Sequence, residues 1–154
     1  MKNTPGPIWF TGSNQVSCNL DHVKNSVEDL GEHYLGIISL MPGLSNVELA
    51  EQGKDFVTIR TNEGLMKRTE IKKIIESDTI TFEFYEEYQA GKTVTTNSHF
   101  IEKFANANSA VTYNLTIRNT KAPGFMGFLY RTFGSSNTGK AFLESCKTYL
   151  EAKQ

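Results

Sequence analysis

Hydrophobic and polar positions follow two periods along this chain, in a definite order. Residues 8–17 read as a strand, with Ile8, Phe10 and Val16 in phase and Gly12 marking a bend or bulge. From about 20 to 41 the spacing turns helical. Asn19 suits the N-cap of a short helix, Asp21 lies in its first turn, and Val23, Val27 and Leu30 make its apolar stripe. Gly31 ends that helix. A second, over about 33–41, stops before Pro42-Gly43.

Six strand-like runs then follow with no helix between them. They start at about 46 with Val47 and Leu49, and continue over 56–61, 65–76, 79–88, 93–104 and 110–119. Turn residues separate them, among them Asn62-Glu63-Gly64 and Ala90-Gly91-Lys92. The run over 79–88 is the clearest: Ile80, Phe82 and Phe84 share one face, and Thr81, Glu83, Tyr85 and Glu87 the other. Val111, Tyr113, Leu115 and Ile117 share a face of the last strand. An amphipathic segment, 123–152, closes the chain. Phe125, Phe128, Leu129 and Phe133 form one stripe, and Phe142, Cys146, Tyr149 and Leu150 another. The stretch 134–139 between them is poor in helix formers and predicts a break or kink.

Consecutive strands joined by short turns make an antiparallel sheet, and a lone terminal helix covers one face of it. The expectation is an α+β domain spanning 1–154. In it a curved seven-stranded antiparallel sheet surrounds a long C-terminal helix, and two short helices follow the first strand. A bent sheet gripping one helix leaves room between them.

Composition narrows the function. With 16 basic and 17 acidic residues the net charge is -1, which supplies no long-range attraction to nucleic acid or an anionic membrane. The apolar run over 34–41 is far too short to span a bilayer, so no stable membrane insertion is expected. Two cysteines, Cys18 and Cys146, are too few for a disulfide framework and fit reduced thiols in a cytoplasmic protein.

The element order, and the texture of stretches such as Ala110-Val-Thr-Tyr-Asn-Leu-Thr-Ile before the final helix, resemble the helix-grip fold. That is the fold of the START-related superfamily, often called SRPBCC. It includes polyketide cyclase/dehydrase and lipid-transport proteins and the birch-pollen-allergen group. The resemblance covers about 8–152 and rests on order and lengths, with no diagnostic motif. It implies a pocket for a hydrophobic or amphipathic small molecule and no particular chemistry. The stretch 134–139 departs from the uninterrupted family helix.

Catalytic and metal motifs are weak. Gly134-Ser-Ser-Asn-Thr-Gly139-Lys140-Ala141 nearly spells a phosphate-binding loop, but Ala141 replaces the hydroxyl that binds magnesium, and helical spacing precedes it in place of a strand. His22, His33 and His99 lack metal-ligand spacing, so no metal and no cofactor is expected. His99, beside Glu102 or Tyr113, is a candidate pocket acid or base. Glu83, Glu86 and Glu87 look like a carboxylate cluster, but Glu83 and Glu87 lie opposite Phe82 and Phe84 in the pleat and should face water, so a solvated cluster is the preferred reading. The basic pairs Lys67-Arg68 and Lys72-Lys73 alternate with Glu70 and Glu76 as on a solvated face, yet Arg68 or Arg118, turned inward, could meet a ligand carboxylate. The phase of the 65–76 strand is undecidable, because both faces mix apolar and charged residues.

The first reading is a binding module for a small hydrophobic or amphipathic molecule, lipid- or polyketide-like. Phe82, Phe84, Phe100, Tyr113, Leu115, Ile117, Phe125, Phe128, Leu129 and Phe142 would bound its cavity, and Tyr113, Asn114 or His99 would orient the guest. No catalytic residue is assigned. The alternatives are a cyclase/dehydratase- or hydrolase-type enzyme using the same space, and a protein-interaction module with a filled core. A cavity above about 300 Å³ favours the first two over the third.

Overall fold

The computed structural model describes residues 8–90, 94–119 and 135–152. Strand β1 (Ile8–Val16) is followed by helices α1 (Leu20–Ser26) and α2 (Leu30–Ile38). Then come β2 (Glu48–Gln52), β3 (Val57–Arg60), β4 (Gly64–Ile75), β5 (Thr79–Ala90), β6 (Val94–Ala107) and β7 (Ala110–Asn119). Helix α3 (Ser135–Ala152) closes the described chain. All seven strands form one antiparallel sheet in the order β1-β7-β6-β5-β4-β3-β2. The expected α+β architecture, a curved sheet with a C-terminal helix, is the one observed.

The short helices begin at side-chain caps. Asn19 accepts a hydrogen bond from the backbone N–H of His22, and Asp29 accepts one from that of Glu32. Gly31 therefore lies in the first turn of α2 and does not end α1, contrary to its reading as a stop. Once Asp29 satisfies the opening N–H groups, the Leu30–Ile38 stripe has a start of its own.

The concave face carries the core. Along β5, Ile80, Phe82 and Phe84 are buried, and across β6 and β7 so are Phe100, Phe104, Val111, Tyr113, Leu115 and Ile117. Helix α3 contributes Phe142, Leu143, Cys146 and Leu150, which share one face of the helix. Polar contacts fix α3 to β1: Asn14 donates to the Leu143 carbonyl at 3.1 Å, and Lys147 to that of Gln15 at 2.8 Å.

Two details differ from the pattern read in the sequence. Residues 135–139 are the first turns of α3, so no break falls within them. A Cβ on Gly139 would lie 2.3 Å from the Phe10 ring, so the absent side chain lets α3 close onto β1. The region 120–134, which holds the expected first half of the closing helix with Phe125, Phe128 and Leu129, lies outside the described residues.

The second detail is in β4. Its register against β5 slips between Thr69 and Lys72, and Glu70 has φ 54°. One extra residue here is a β-bulge, and it reverses the alternation. Before it Met66 and Arg68 face the core; after it Ile71 does. The mixed character of both faces of 65–76 has this cause.

Candidate functional site

The register lays the inward side chains in rows across the sheet. Arg68 on β4 lies directly opposite Glu86 on β5, which lies opposite Ser98 on β6. The next row runs from Phe84 through Phe100 to Ile117. A third joins Phe82, Glu102 and Leu115. Glu86 thus follows the phase of Phe82 and Phe84, and Glu102 that of Phe100 and Phe104. Strict alternation forces both carboxylates indoors.

Arg68 is 1 % exposed. Its Nε donates to Glu86 Oε2 at 2.9 Å. The guanidinium carbon lies 4.6 Å from the ring centre of Tyr34, 4.7 Å from Phe84, 4.9 Å from Phe142 and 5.1 Å from Phe100. Four aromatic faces and one carboxylate thus replace the water that the charge gave up. Burial opposes the charged form, but Glu86, with Tyr34 and Glu102, holds the pKa above the ordinary arginine value. Arg68 Nη1 is buried and has no hydrogen-bond partner among the described residues. An orphaned buried donor costs about 1–3 kcal/mol.

Beside this pair is a cavity of about 190 Å³. Ile38, Met41, Pro42 and Leu44, from α2 and the turn after it, form one wall. Met66, Tyr88, Ser98, Phe100 and Ile117 form the sheet side, and Thr138 and Phe142 of α3 complete the enclosure around Arg68 and Glu86. At the rim the Tyr88 hydroxyl donates a short hydrogen bond to Glu63, which also lines the space. Burial, then that bond, raises the Tyr88 phenol above its usual value.

Tyr34, whose ring lies against Arg68, leads to a second buried polar group. Glu102 is fully buried and accepts from the Tyr34 hydroxyl at 2.8 Å and from the Tyr113 hydroxyl. Burial raises the Glu102 carboxyl, while Arg68 and the two phenols pull it back. The Cys146 thiol is pushed far up by burial and then by Glu102, which leaves it inert as a nucleophile.

Of the ten residues expected to bound a pocket, the seven among the described residues divide between these two zones. Phe100, Ile117 and Phe142 line the cavity. Phe82, Phe84, Tyr113 and Leu115 are buried in the core without lining it.

The polar candidates need correction. His99 sits on the convex face, its Nε2 3.3 Å from Glu83 Oε2 and its ring against Tyr85. It is thus across the sheet from Glu102 and Tyr113. Asn114 is exposed on that same face. Tyr113 is engaged by Glu102. None of the three orients a guest in this cavity. Of the two arginines considered, Arg68 turns inward, while Arg118 alternates outward from buried Ile117. Glu86, grouped with Glu83 and Glu87 as a solvated carboxylate, is buried and lines the cavity instead, and Ser98, Tyr88 and Glu63 were missed. The in-phase position of Glu86 beside Phe84 was the signal for the first.

No protein-family model and no curated protein matches the sequence. Solved structures do. A protein from Arthrobacter aurescens aligns with TM-score 0.66 at 10% identity, over 99% of this chain and 93% of its own. The Zhui aromatase/cyclase from a Streptomyces strain aligns with TM-score 0.54 at 14% identity, over 94% and 93%. A STAR-related lipid transfer protein from Xanthomonas axonopodis aligns with TM-score 0.55 at 13% identity, over 96% of this chain and 89% of the fragment. At such identities the likeness is one of fold. The chain has the helix-grip fold of the START/SRPBCC type.

Proposed function

We propose that this chain binds a small hydrophobic or amphipathic molecule, lipid- or polyketide-like, between the sheet and α3. The observation that carries the reading is the 190 Å³ space, open at its rim, walled by aliphatic and aromatic side chains and carrying a buried guanidinium. The neighbouring aromatase/cyclase and lipid transfer protein support it by their names. The volume is below the roughly 300 Å³ that would by itself favour a pocket over a filled core, so the reading is one of a small guest. Dry cavities of about 150 Å³ take up benzene, so a single substituted ring fills this one and a longer guest extends past the rim at Glu63 and Tyr88.

Burial of apolar surface drives the binding at about 25 cal/mol per Å², less the cost of lost rigid-body freedom. Cyclisation or dehydration in the same space would need a group placed to move a proton to or from the guest. Glu86 is engaged by Arg68 and Glu63 by Tyr88, and no catalytic residue is assigned, so the reading is one of binding. Two free, buried cysteines support a cytoplasmic setting.

Native mass spectrometry of protein purified without denaturant tests the proposal, together with a melting screen against lipids and polyketides. A co-purified small molecule, or a melting shift abolished by the cavity-filling Ser98→Leu, is expected. An empty spectrum with no shift from any compound overturns the reading.

A further inference from the structure

The Arg68–Glu86 pair sets the charge that a guest can carry. Both side chains line the cavity, and they are 1% and 10% exposed. Glu86 accepts from Nε at 2.9 Å, and Nη1 is left without a hydrogen-bonded acceptor among the described residues. Glu63 adds a second carboxylate at the rim, and no other lysine, arginine or histidine lines the space among the described residues.

A carboxylate entering this cavity would shed its hydration and approach a cation whose charge a buried neighbour already balances. Its attraction to Arg68 is then offset by repulsion from Glu86, and the low local dielectric magnifies both. A carbonyl oxygen accepts the same hydrogen bond without importing a charge. A guest with no acceptor gives that donor no partner.

Building on the binding reading, we infer that the cavity selects a compact apolar molecule bearing an uncharged carbonyl, as in a ketone or amide, over the matching carboxylic acid. Arg68 donates to the carbonyl, and Glu86 turns anions away. This reverses the simpler expectation that an inward arginine marks a carboxylate site.

The test is an NMR titration of the full chain at neutral pH with acetophenone, benzamide, benzoate and ethylbenzene. Acetophenone and benzamide are expected to shift the amides of Ser98, Phe100 and Phe142. Benzoate should bind at least about tenfold more weakly, and ethylbenzene should fall below acetophenone. Glu86→Gln keeps the side chain's shape and removes its charge. It should raise the affinity for benzoate relative to that for benzamide by about tenfold or more.

Benzoate binding to the unmutated chain as tightly as benzamide overturns the inference and leaves the binding reading intact. So does an acid-to-amide ratio that Glu86→Gln does not move. The ratio in the unmutated chain needs no variant, so the inference stays open to refutation even where Glu86→Gln fails to fold. Silence from all four probes, while a larger apolar compound binds, overturns the inference alone. Silence from every compound overturns both.

Discussion

The two ends of the sheet–helix interior treat buried polarity in opposite ways. At the closed end Glu102 receives hydrogen bonds from Tyr34 and Tyr113, and all three are fully buried. At the open end Arg68 is as deeply buried, but one hydrogen bond to Glu86 leaves a donor unused, with empty volume beside it. Tyr34 joins the two: its ring face carries the guanidinium, and its hydroxyl serves Glu102. The difference teaches where function belongs. A saturated network rigidifies a core, whereas an incomplete one next to a void has a place for a guest.

The largest test strikes the closed end. Glu102→Ala strips the acceptor from two buried phenols and opens a hole, and should cost about 3–5 kcal/mol. For a domain of this size the melting temperature should drop by on the order of 10 °C. Urea denaturation of the variant checks this, and a loss below about 1 kcal/mol would mean that the network is not holding the core.

Gly139→Ala comes next. The new methyl would collide with the Phe10 ring, lift α3 from β1 and cost about 1–3 kcal/mol, read by the same denaturation. An unchanged midpoint would show that the helix does not depend on the close approach.

A pH series sharpens the contrast further. Burial raises the Glu102 carboxyl above 4.5, so the folded chain keeps that proton longer than the unfolded one. The associated stability is present below pH 4.5 and is lost as pH rises through the folded value. Relative to Glu102→Gln, the unmutated chain should lose up to about 1.4 kcal/mol per pH unit across that window. Parallel stability curves would refute the assignment.

The smallest effect belongs to the convex face. His99→Ala removes a partly solvated contact to Glu83 and should change stability by less than about 0.5 kcal/mol. Guest binding, followed by melting shifts, should not change. Loss of binding would return His99 to the site.

Much of the architecture was legible in the order of periods. Strand alternation and helix spacing are local consequences of backbone geometry, so Ile80-Phe82-Phe84 and Val111-Tyr113-Leu115-Ile117 announced their inner faces. The same alternation already placed Glu86 beside Phe84. The identity of its partner was hidden, because a bulge at Glu70 inverts the phase of β4 and no local pattern marks it. The helix start at Leu30 and the helical 135–139 turned on a cap and on a fit against Phe10, which propensity alone does not weigh.

What the amino-acid order determined by itself was a seven-stranded antiparallel sheet, its buried rows and a helix to cover them, since each follows from neighbours a few positions apart. Only the tertiary structure decided that Arg68 meets Glu86 inside four aromatic rings, that Glu102 is saturated by two tyrosines, and that a void remains at one end. Those facts depend on register between strands and on how closely α3 settles, and both are set by contacts between residues far apart in the chain.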